Sequence, residues 1–203
     1  MEAEVRQLRP REAGAAAPLL VRSFADDPFI GYFFRGPRRR RLALPPFFAA
    51  VLHSLLPSRE VFALAVGGRV LGVAAWLPPE PLSASRQARL RANAATARVR
   101  FLFPRASPAL GLGFEMLGSH HPPDPHWYLA FVGIDPDEQR RGLGRQLLSP
   151  VLDRADRESS ICYLETPFPD TRAFYHRLGF VNTSELNHVP GAPTIWTMTR
   201  QPG

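Results

Sequence analysis

The stretch WYLAFVGIDPDEQRRGLGRQLL, residues 127 to 148, predicts a strand, a short loop and the start of a helix. Its first part, 127–134, has the length and aromatic content of a buried strand. Its last part begins an apolar repeat at helical spacing. Between the two lie Gly142 and Gly144, directly after a pair of arginines. Glycines at a helix start favour either a tight entry turn or a close approach of a ligand to the backbone.

This loop has the chemistry of a diphosphate site. Without Cβ atoms, Gly142 and Gly144 let a bulky anion approach the main chain. The free N–H groups of the helix's first turn attract negative charge, and Arg140, Arg141 and Arg145 add full positive charges. The spacing is neither a Walker loop nor the three-glycine dinucleotide fingerprint. Taken alone, the loop is explained equally well as an ordinary helix start with basic residues around it.

The other patterns predict a mixed α/β (α+β) sheet with helices on both faces. Gly67-Gly68 between two apolar runs, within 61–78, is typical of a hairpin. The stretch SFADDPFIGYFF, 23–34, is expected to be a turn in which Asp27-Pro28 ends a helix. Further strands are expected at 4–9, 161–166, 180–188 and 194–200, and helices at 12–25, 42–56, 142–157 and 171–180.

Composition excludes several classes of protein. One cysteine, Cys162, rules out a disulfide framework. The histidines of the loop SHHPPDPH, 119–126, have no fourth ligand, so no metal site is expected. No apolar run approaches the ~20 residues of a membrane span, and a cytoplasmic protein is expected. The net charge is +7, with its densest run at Arg38 to Arg41; this run suits an anionic partner such as nucleic acid, or a solvated helix face.

Two motifs together resemble the Gcn5-related N-acetyltransferase superfamily. The first is Ile134-x-Pro136-x-x-Gln139-x-x-Gly142-x-Gly144, and the second is Phe174-Tyr175-x-x-x-Gly179-Phe180. Within the superfamily, HWYLAFVGIDPDEQRRGLG and YLETPFPDTRAFYHRLGF are similar to the puromycin N-acetyltransferase group. The resemblance implies one domain, 1–203, with a core at 127–180 and a variable helical insert at 79–125. It also implies a mostly antiparallel sheet whose middle pair of parallel strands splays apart.

The resemblance further implies that acetyl-CoA lies in the gap between the strands 127–134 and 161–166. Gly133 is expected to form a bulge that opens the gap, and the backbone of Val132 and Ile134 to pair with the pantetheine. The turn entering the helix is expected to hold the pyrophosphate. Thr171 stands where relatives carry an asparagine, and its alternative role is a helix N-cap. The implied cofactor-binding set is Val132, Gly133, Ile134, Gln139, Arg140, Arg141, Gly142, Leu143, Gly144, Arg145, Thr171 and Phe174.

Acyl transfer from a thioester needs a neutral amine and a proton for the departing thiolate. The resemblance implies Tyr175 as the general acid; the alternative is an aromatic packed with Phe174 and Phe180. Glu165 is a candidate base, acting directly or through water, and the alternative is a structural carboxylate. Proximity and a water chain without a dedicated base are also sufficient in principle.

The acceptor is expected to contact the variable parts of the chain. Asp27, Tyr32, Trp76 and His121 are candidate contacts, with turn chemistry or core packing as the alternative for each. The implied reaction is acetylation of a small-molecule amine, with an aminonucleoside antibiotic as one candidate acceptor. A protein acetyltransferase acting on lysine or an N-terminus is the first alternative, and a nucleic-acid-binding protein is the second. A homodimer through the last strands is also expected.

Overall fold

The computed structural model describes residues 3–79, 117–187 and 191–203. The strands of the fold are β1 (Glu4–Gln7), β2 (Val61–Val66), β3 (Arg69–Leu77), β4 (His126–Ile134), β5 (Ile161–Thr166), β6 (Val181–Leu186) and β7 (Ile195–Arg200). The α-helices are α1 (Ala13–Ser23), α2 (Pro28–Phe33), α3 (Pro37–Leu55), α4 (Leu143–Arg157) and α5 (Pro169–His176). Short 3₁₀ turns lie at Pro10–Glu12, Leu56–Ser58 and Pro136–Glu138.

The seven strands form one mixed sheet in the order β1-β2-β3-β4-β5-β7-β6. The β4–β5 pair is parallel, and the other neighbouring pairs are antiparallel. Gly67 and Gly68, with φ of 56° and 83°, form the turn between β2 and β3, where only glycine adopts such angles at no steric cost. The expected fold class, with its parallel pair in the middle of an otherwise antiparallel sheet, is confirmed.

The two parallel strands separate halfway along their length. Pairing runs from His126 and Ile161 as far as Leu129 and Leu164, and then stops. At the same point the register of β4 against β3 shifts, because Ala75 faces Phe131 whereas Trp76 faces Leu129. The extra residue is Ala130, so the bulge lies there. The prediction of a bulge at Gly133 is therefore wrong, since Gly133 pairs regularly with Val73.

Gly133 has a packing role instead. A Cβ built on it would lie 2.9 Å from Cδ2 of Leu20 and 3.0 Å from Oγ of Ser23, both on α1. Distances this short force the neighbours to move. The missing side chain thus lets α1 lie directly on β4 beside the gap.

We expect Gly133→Ala to lower the free energy of unfolding by about 1–3 kcal/mol, because it overpacks the contact between α1 and β4. Urea unfolding monitored by circular dichroism measures the change. Gly14→Ala is the matched control. Gly14 is a residue of α1, and a Cβ on it meets nothing within 4 Å, so this change does not overpack the contact with β4. Equal stabilities for Gly133→Ala and wild type would contradict this packing role.

Helices cover both faces of the sheet. On one face α1 and α3 pack against alternate residues of β2 and β3, including Val61, Val73 and Ala75. On the other face α4 and α5 bury the intervening residues together with β5. The largest fully buried side chains of this second core include Trp76 and Leu147. β2 and β3 are therefore apolar on both sides, as strands between two helical layers are.

The segment 23–34 differs from expectation. Asp27 does not end a helix; its carboxylate accepts a hydrogen bond from the Ile30 N–H at 2.8 Å and caps the start of α2. Pro28 then occupies the first helical position, where proline costs no hydrogen bond. The prediction that Asp27-Pro28 ends a helix is wrong, because Pro28 begins one.

α3 also has a proline, Pro37, at its first position. It therefore begins earlier than expected and includes the arginine run.

Three predictions about organisation stay predictions. Most of the expected insert, residues 80–116, lies outside the described residues. The single domain over 1–203 and the homodimer stay predictions as well. β6 lies at the edge of the sheet, with residues 181–185 exposed.

In the described part of the chain, no helix combines the length and apolarity needed to cross a bilayer.

Candidate active site

The gap between β4 and β5 presents an unpaired strand edge. The Asp135 N–H donates to the carbonyl of Leu71 at 2.8 Å, so its hydrogen-bonding groups point toward β3. Because these groups alternate along an antiparallel strand, those of Val132 and Ile134 point the opposite way, into the gap. The carbonyl of Ile134 accepts from Nε2 of Gln139 at 3.1 Å. Val132 and Ile134 therefore suit an extended ligand that adds to β4 as a strand.

The loop after β4 leads into the N-terminus of α4. Gly142 is the N-cap, with φ of 78° and no side-chain cap; Arg140 also has a positive φ of 60°. A Cβ on Gly142 would meet nothing within 4 Å, so open space adjoins the backbone here. The N–H groups of Leu143 and Gly144 have no acceptor inside the helix, as for any first turn. Backbone donors beside open space make a cradle for an anion.

Two contacts fix the position of this loop. The buried carboxylate of Asp135 accepts from Arg22 at 2.6 Å and from Arg69 at 3.2 Å. Burial acts to raise the pKa of Asp135, but the two guanidinium groups and a backbone N–H outweigh it and hold the pKa below its usual value. Asp135 thereby ties the end of β4 to α1 and β3. The charge of Arg141 is paired with Glu138.

Gly144 brings α5 next to the start of α4. A Cβ on Gly144 would lie 3.1 Å from Cζ of Phe174, so the absence of a side chain allows this close approach. The Phe174 ring in turn contacts Tyr175, with centroids 5.1 Å apart. The two motifs of the sequence are therefore adjacent in space.

Tyr175 is 7% exposed and packs against Phe180 as well as Phe174. Burial raises the pKa of its phenol above the usual value, so the hydroxyl is protonated at neutral pH. Tyr175 belongs to the core on the α4–α5 face. Packing and a proton-donating role are both compatible with this environment.

Thr171 does not cap α5. The N-cap is Phe168, and Thr171 lies inside the first turn. Its hydroxyl donates to the carbonyl of Phe168 at 2.9 Å and lies 2.7 Å from Oγ1 of Thr166. The alternative role as an N-cap is wrong because Pro169 already occupies the first helical position. The Thr171 hydroxyl instead ties the end of β5 to α5.

Glu165 lies on the opposite face of the sheet from Tyr175. Cys162 and Leu164 of β5 are buried in the α4–α5 core, and side chains alternate along a strand. Tyr163 and Glu165 therefore point to the α1–α3 face. Among the described residues, Oε1 of Glu165 and the Tyr163 hydroxyl are buried without an aligned hydrogen-bond partner. Two such atoms on one face suit a polar ligand.

Histidines and tyrosines surround this carboxylate. Nε2 of His121 lies 3.3 Å from Oε1 of Glu165. The His121 ring contacts both Tyr128 and Tyr163, each at a centroid distance of 4.5 Å. Burial raises the pKa of both phenols, and the Glu165 carboxylate raises it further. The two phenols are therefore neutral at physiological pH.

Sequence reasoning missed His126, Tyr128 and Tyr163 as site residues. A signal existed, because Tyr163 and Glu165 are two residues apart on β5, and His126 and Tyr128 are two apart on β4. Residues two apart on a strand share a face. Polar aromatic pairs in otherwise apolar strands were the indication.

The remaining acceptor candidates have different environments. Trp76 has no exposed surface and packs in the α4–α5 core, so its prediction as an acceptor contact is wrong and the alternative of core packing holds. Asp27 is 4% exposed; burial raises its pKa to about 6 against the lowering effect of the Ile30 and Phe29 backbone N–H groups. Tyr32 is partly exposed, with Arg35 over its ring at 5.6 Å.

Comparison with known proteins assigns this chain to a family. The Acetyltransferase (GNAT) family matches residues 33–180. The chain belongs to the GNAT acetyltransferase family. An uncharacterized N-acetyltransferase from Schizosaccharomyces pombe is 38% identical over 58 residues, which cover 29% of this GNAT chain and 24% of that protein. The family expectation from the sequence is confirmed.

Solved GNAT-like structures share the fold. A histone acetyltransferase HPA2 and related acetyltransferase from Corynebacterium glutamicum has a TM-score of 0.70 at 21% identity, covering 100% of this chain and 98% of that one. Arylalkylamine N-acetyltransferase 2 from Aedes aegypti has a TM-score of 0.63 at 15% identity, with full coverage of both chains. At these identities the likeness concerns the fold alone.

The residues of this GNAT chain fit acetyl-CoA. The unpaired edge at Val132 and Ile134 suits the extended pantetheine, and the open space beside Gly142 suits the phosphates. Within residues 3–79, 117–187 and 191–203, no cluster of three or more His, Cys, Asp or Glu side chains is arranged to hold a metal ion.

Proposed function

We propose that this GNAT protein transfers the acetyl group of acetyl-CoA to the amine of a small molecule. One observation carries the proposal: the β4–β5 pairing ends at Leu129 and Leu164, so the rest of β4, up to Ile134, has an unpaired edge toward β5 and leads through the 136–138 turn to the glycine loop. The unpaired part of β4 and the N-terminus of α4 therefore follow one another along the chain. That order matches an extended ligand with an anionic end.

In this proposal the backbone from Gln139 to Arg145 holds the pyrophosphate. The positive φ of Gly142 keeps the loop in its open shape, and Arg140 and Arg145 add charge. Val132 and Ile134 bind the pantetheine, and Gly133 keeps that part of β4 close to α1. Phe174 supports the start of α4 through its contact with Gly144. Acetyl-CoA supplies an activated acetyl thioester when it is bound.

Tyr175 and Glu165 act from opposite faces of the sheet, Tyr175 as a proton donor and Glu165 as the carboxylate beside the amine. Tyr175 donates a proton to the departing sulfur from the α4–α5 side; a raised pKa keeps that proton available. Glu165 faces the amine from the α1–α3 side.

The acceptor is a protonatable amine that carries an aromatic or other flat group. The supporting observation is the cluster of Glu165, His121, Tyr128 and Tyr163 on the α1–α3 face. A carboxylate attracts the cationic amine, and aromatic faces stack on flat groups. An aminonucleoside such as puromycin has this chemistry.

The test measures thiol release from acetyl-CoA in the presence of a panel of amines. We expect release above the amine-free rate with at least one arylalkylamine or aminonucleoside, because the cluster is proposed to bind amines that carry a flat group. Calorimetry measures acetyl-CoA association in parallel. Release only with lysine peptides or free protein N-termini would instead support a protein acetyltransferase. No heat with acetyl-CoA, together with salt-dependent DNA binding, would contradict the proposal in favour of nucleic-acid binding.

A further inference from the structure

Three side chains and one carbonyl form a continuous chain on the α1–α3 face. Nε2 of His121 lies 3.3 Å from Oε1 of Glu165. Nδ1 of His121 lies 3.0 Å from Nε2 of His126. Nδ1 of His126 lies 2.7 Å from the carbonyl oxygen of Asp124. The chain thus runs from the buried carboxylate, through both imidazoles, to the backbone.

The direction of each hydrogen bond follows from one fixed acceptor. A carbonyl oxygen cannot donate, so Nδ1 of His126 carries a proton. Burial lowers the pKa of His126, although the Asp124 carbonyl counteracts this, so its ring is neutral and its Nε2 is an acceptor. Nδ1 of His121 must then be the donor to it. In neutral His121 this leaves Nε2 with a lone pair directed at Glu165.

We propose that His121 accepts a proton from the acceptor amine at Nε2, and that His126 is the positioning residue that fixes the tautomer of His121. This inference rests on the proposed function. Nε2 of His121 and Oε1 of Glu165 lie 3.3 Å apart, a hydrogen-bond separation. Between them there is room for one proton, whose charge the carboxylate stabilises.

The proton moves from the ammonium group of the acceptor to Nε2 of His121. One N–H bond of the ammonium group breaks, its electron pair stays on nitrogen, and a bond from that hydrogen to Nε2 of His121 forms. His121 becomes an imidazolium beside Glu165, and it later returns the proton to water. Among the described residues, the titratable groups facing His121 are Glu165, His126, Tyr128 and Tyr163. Both phenols have raised pKa values and do not compete as bases.

The first test measures the tautomer of His126 without any reaction. Nitrogen-15 NMR of the full chain at pH 7 distinguishes protonation at Nδ1 from protonation at Nε2, and His126→Leu identifies the signals. We expect neutral His126 with its proton on Nδ1. A proton on Nε2 alone, or an imidazolium, would overturn the assignment of directions.

The second test measures kcat/KM against pH with an amine accepted in the thiol-release assay. His121→Asn retains a donor near the position of Nδ1 but has no base, so we expect a loss of about 10²- to 10⁴-fold at pH 7. The deficit should shrink as the pH rises through the amine's own pKa, because more amine is then neutral without enzymatic help. An amine of low pKa should be acetylated by the variant at close to the wild-type rate. A deficit equal at every pH would indicate a structural role and overturn the proposal.

The positioning role has its own comparison. His126→Leu should lower kcat/KM by roughly tenfold or more, since His121 loses the acceptor that holds its tautomer. His126→Gln should recover most of that loss, because its Oε1 accepts from Nδ1 of His121. His120→Gln is the control expected to match wild type. His120 lies in the same loop but is not one of the groups that link Glu165 through His121 and His126 to the Asp124 carbonyl. Equal activity of the Leu and Gln variants would contradict the role of His126.

These outcomes separate the two proposals. If wild-type protein binds no acetyl-CoA and releases no thiol, the proposed function fails. If wild type is active and His121→Asn retains both acetyl-CoA affinity and the full wild-type pH profile, only the His121 inference fails. Thermal unfolding of each variant checks that it is folded.

Discussion

Tyr175→Phe is expected to lower kcat by about 10²- to 10⁴-fold, the usual contribution of a positioned general acid. The change removes one hydroxyl and keeps the ring that packs against Phe174 and Phe180. Acetyl-CoA affinity should therefore stay within roughly threefold of wild type. Stopped-flow thiol release measures kcat, and calorimetry measures affinity.

The phenol's pKa gives this prediction a second readout. Burial raises the pKa of Tyr175, so its proton is available at neutral pH and is lost only in strongly alkaline solution. Deprotonation of Tyr175 should therefore not limit the wild-type rate in neutral or mildly alkaline solution, where kcat is measured. Thermal unfolding is the control for folding. An unchanged kcat would remove Tyr175 from the mechanism and leave it as a packing residue.

Gly142→Val is expected to weaken acetyl-CoA association by roughly 5- to 150-fold. The backbone at Gly142 has φ of 78°, a conformation that costs a β-branched residue about 1–3 kcal/mol. The new side chain would also project into the open space beside the loop, where the phosphates are proposed to lie. Calorimetric titration with acetyl-CoA measures the loss.

Gly36→Val is the matched control for this change. Gly36 is also a helix N-cap, with φ of 90°, and a Cβ on it meets nothing within 4 Å. We expect a similar loss of stability but unchanged acetyl-CoA affinity, because Gly36 begins α3 and lies outside the loop. If both variants bind acetyl-CoA as wild type does, the glycine loop does not hold the phosphates and the proposed function loses its main support.

The elements with strong periodicity were predictable. The expected strand at 161–166 coincides with β5, and the strand at 127–134 and the helix at 142–157 differ from β4 and α4 by one residue at their starts. Here sequence pattern and burial agree, since apolar residues recur with the period of each element. α2 was missed because Asp-Pro ends some helices and begins others, and only the capping hydrogen bond to Ile30 decides between them.

The candidate site divides in the same way. The glycine loop and Tyr175 follow from motifs that are continuous along the chain. The hydrogen-bonded series of His121 and His126 does not, because its carboxylate, Glu165, lies on a different strand, about forty residues further along the sequence. Trp76 was predicted to contact the acceptor and is fully buried instead. An aromatic residue at a strand end gives no indication in the sequence of whether a core will bury it.

The sequence by itself determined the order of the strands and of the helices other than α2 in the described residues, the turn at Gly67-Gly68 and the loop that enters α4. These depend on local backbone preferences and on apolar spacing, which each segment carries alone. Only the tertiary structure decided where β4 and β5 separate, why Gly133 lacks a side chain and which groups surround Glu165. Strand register and the packing of α1 on β4 bring together residues from distant parts of the chain, and no local pattern contains such contacts.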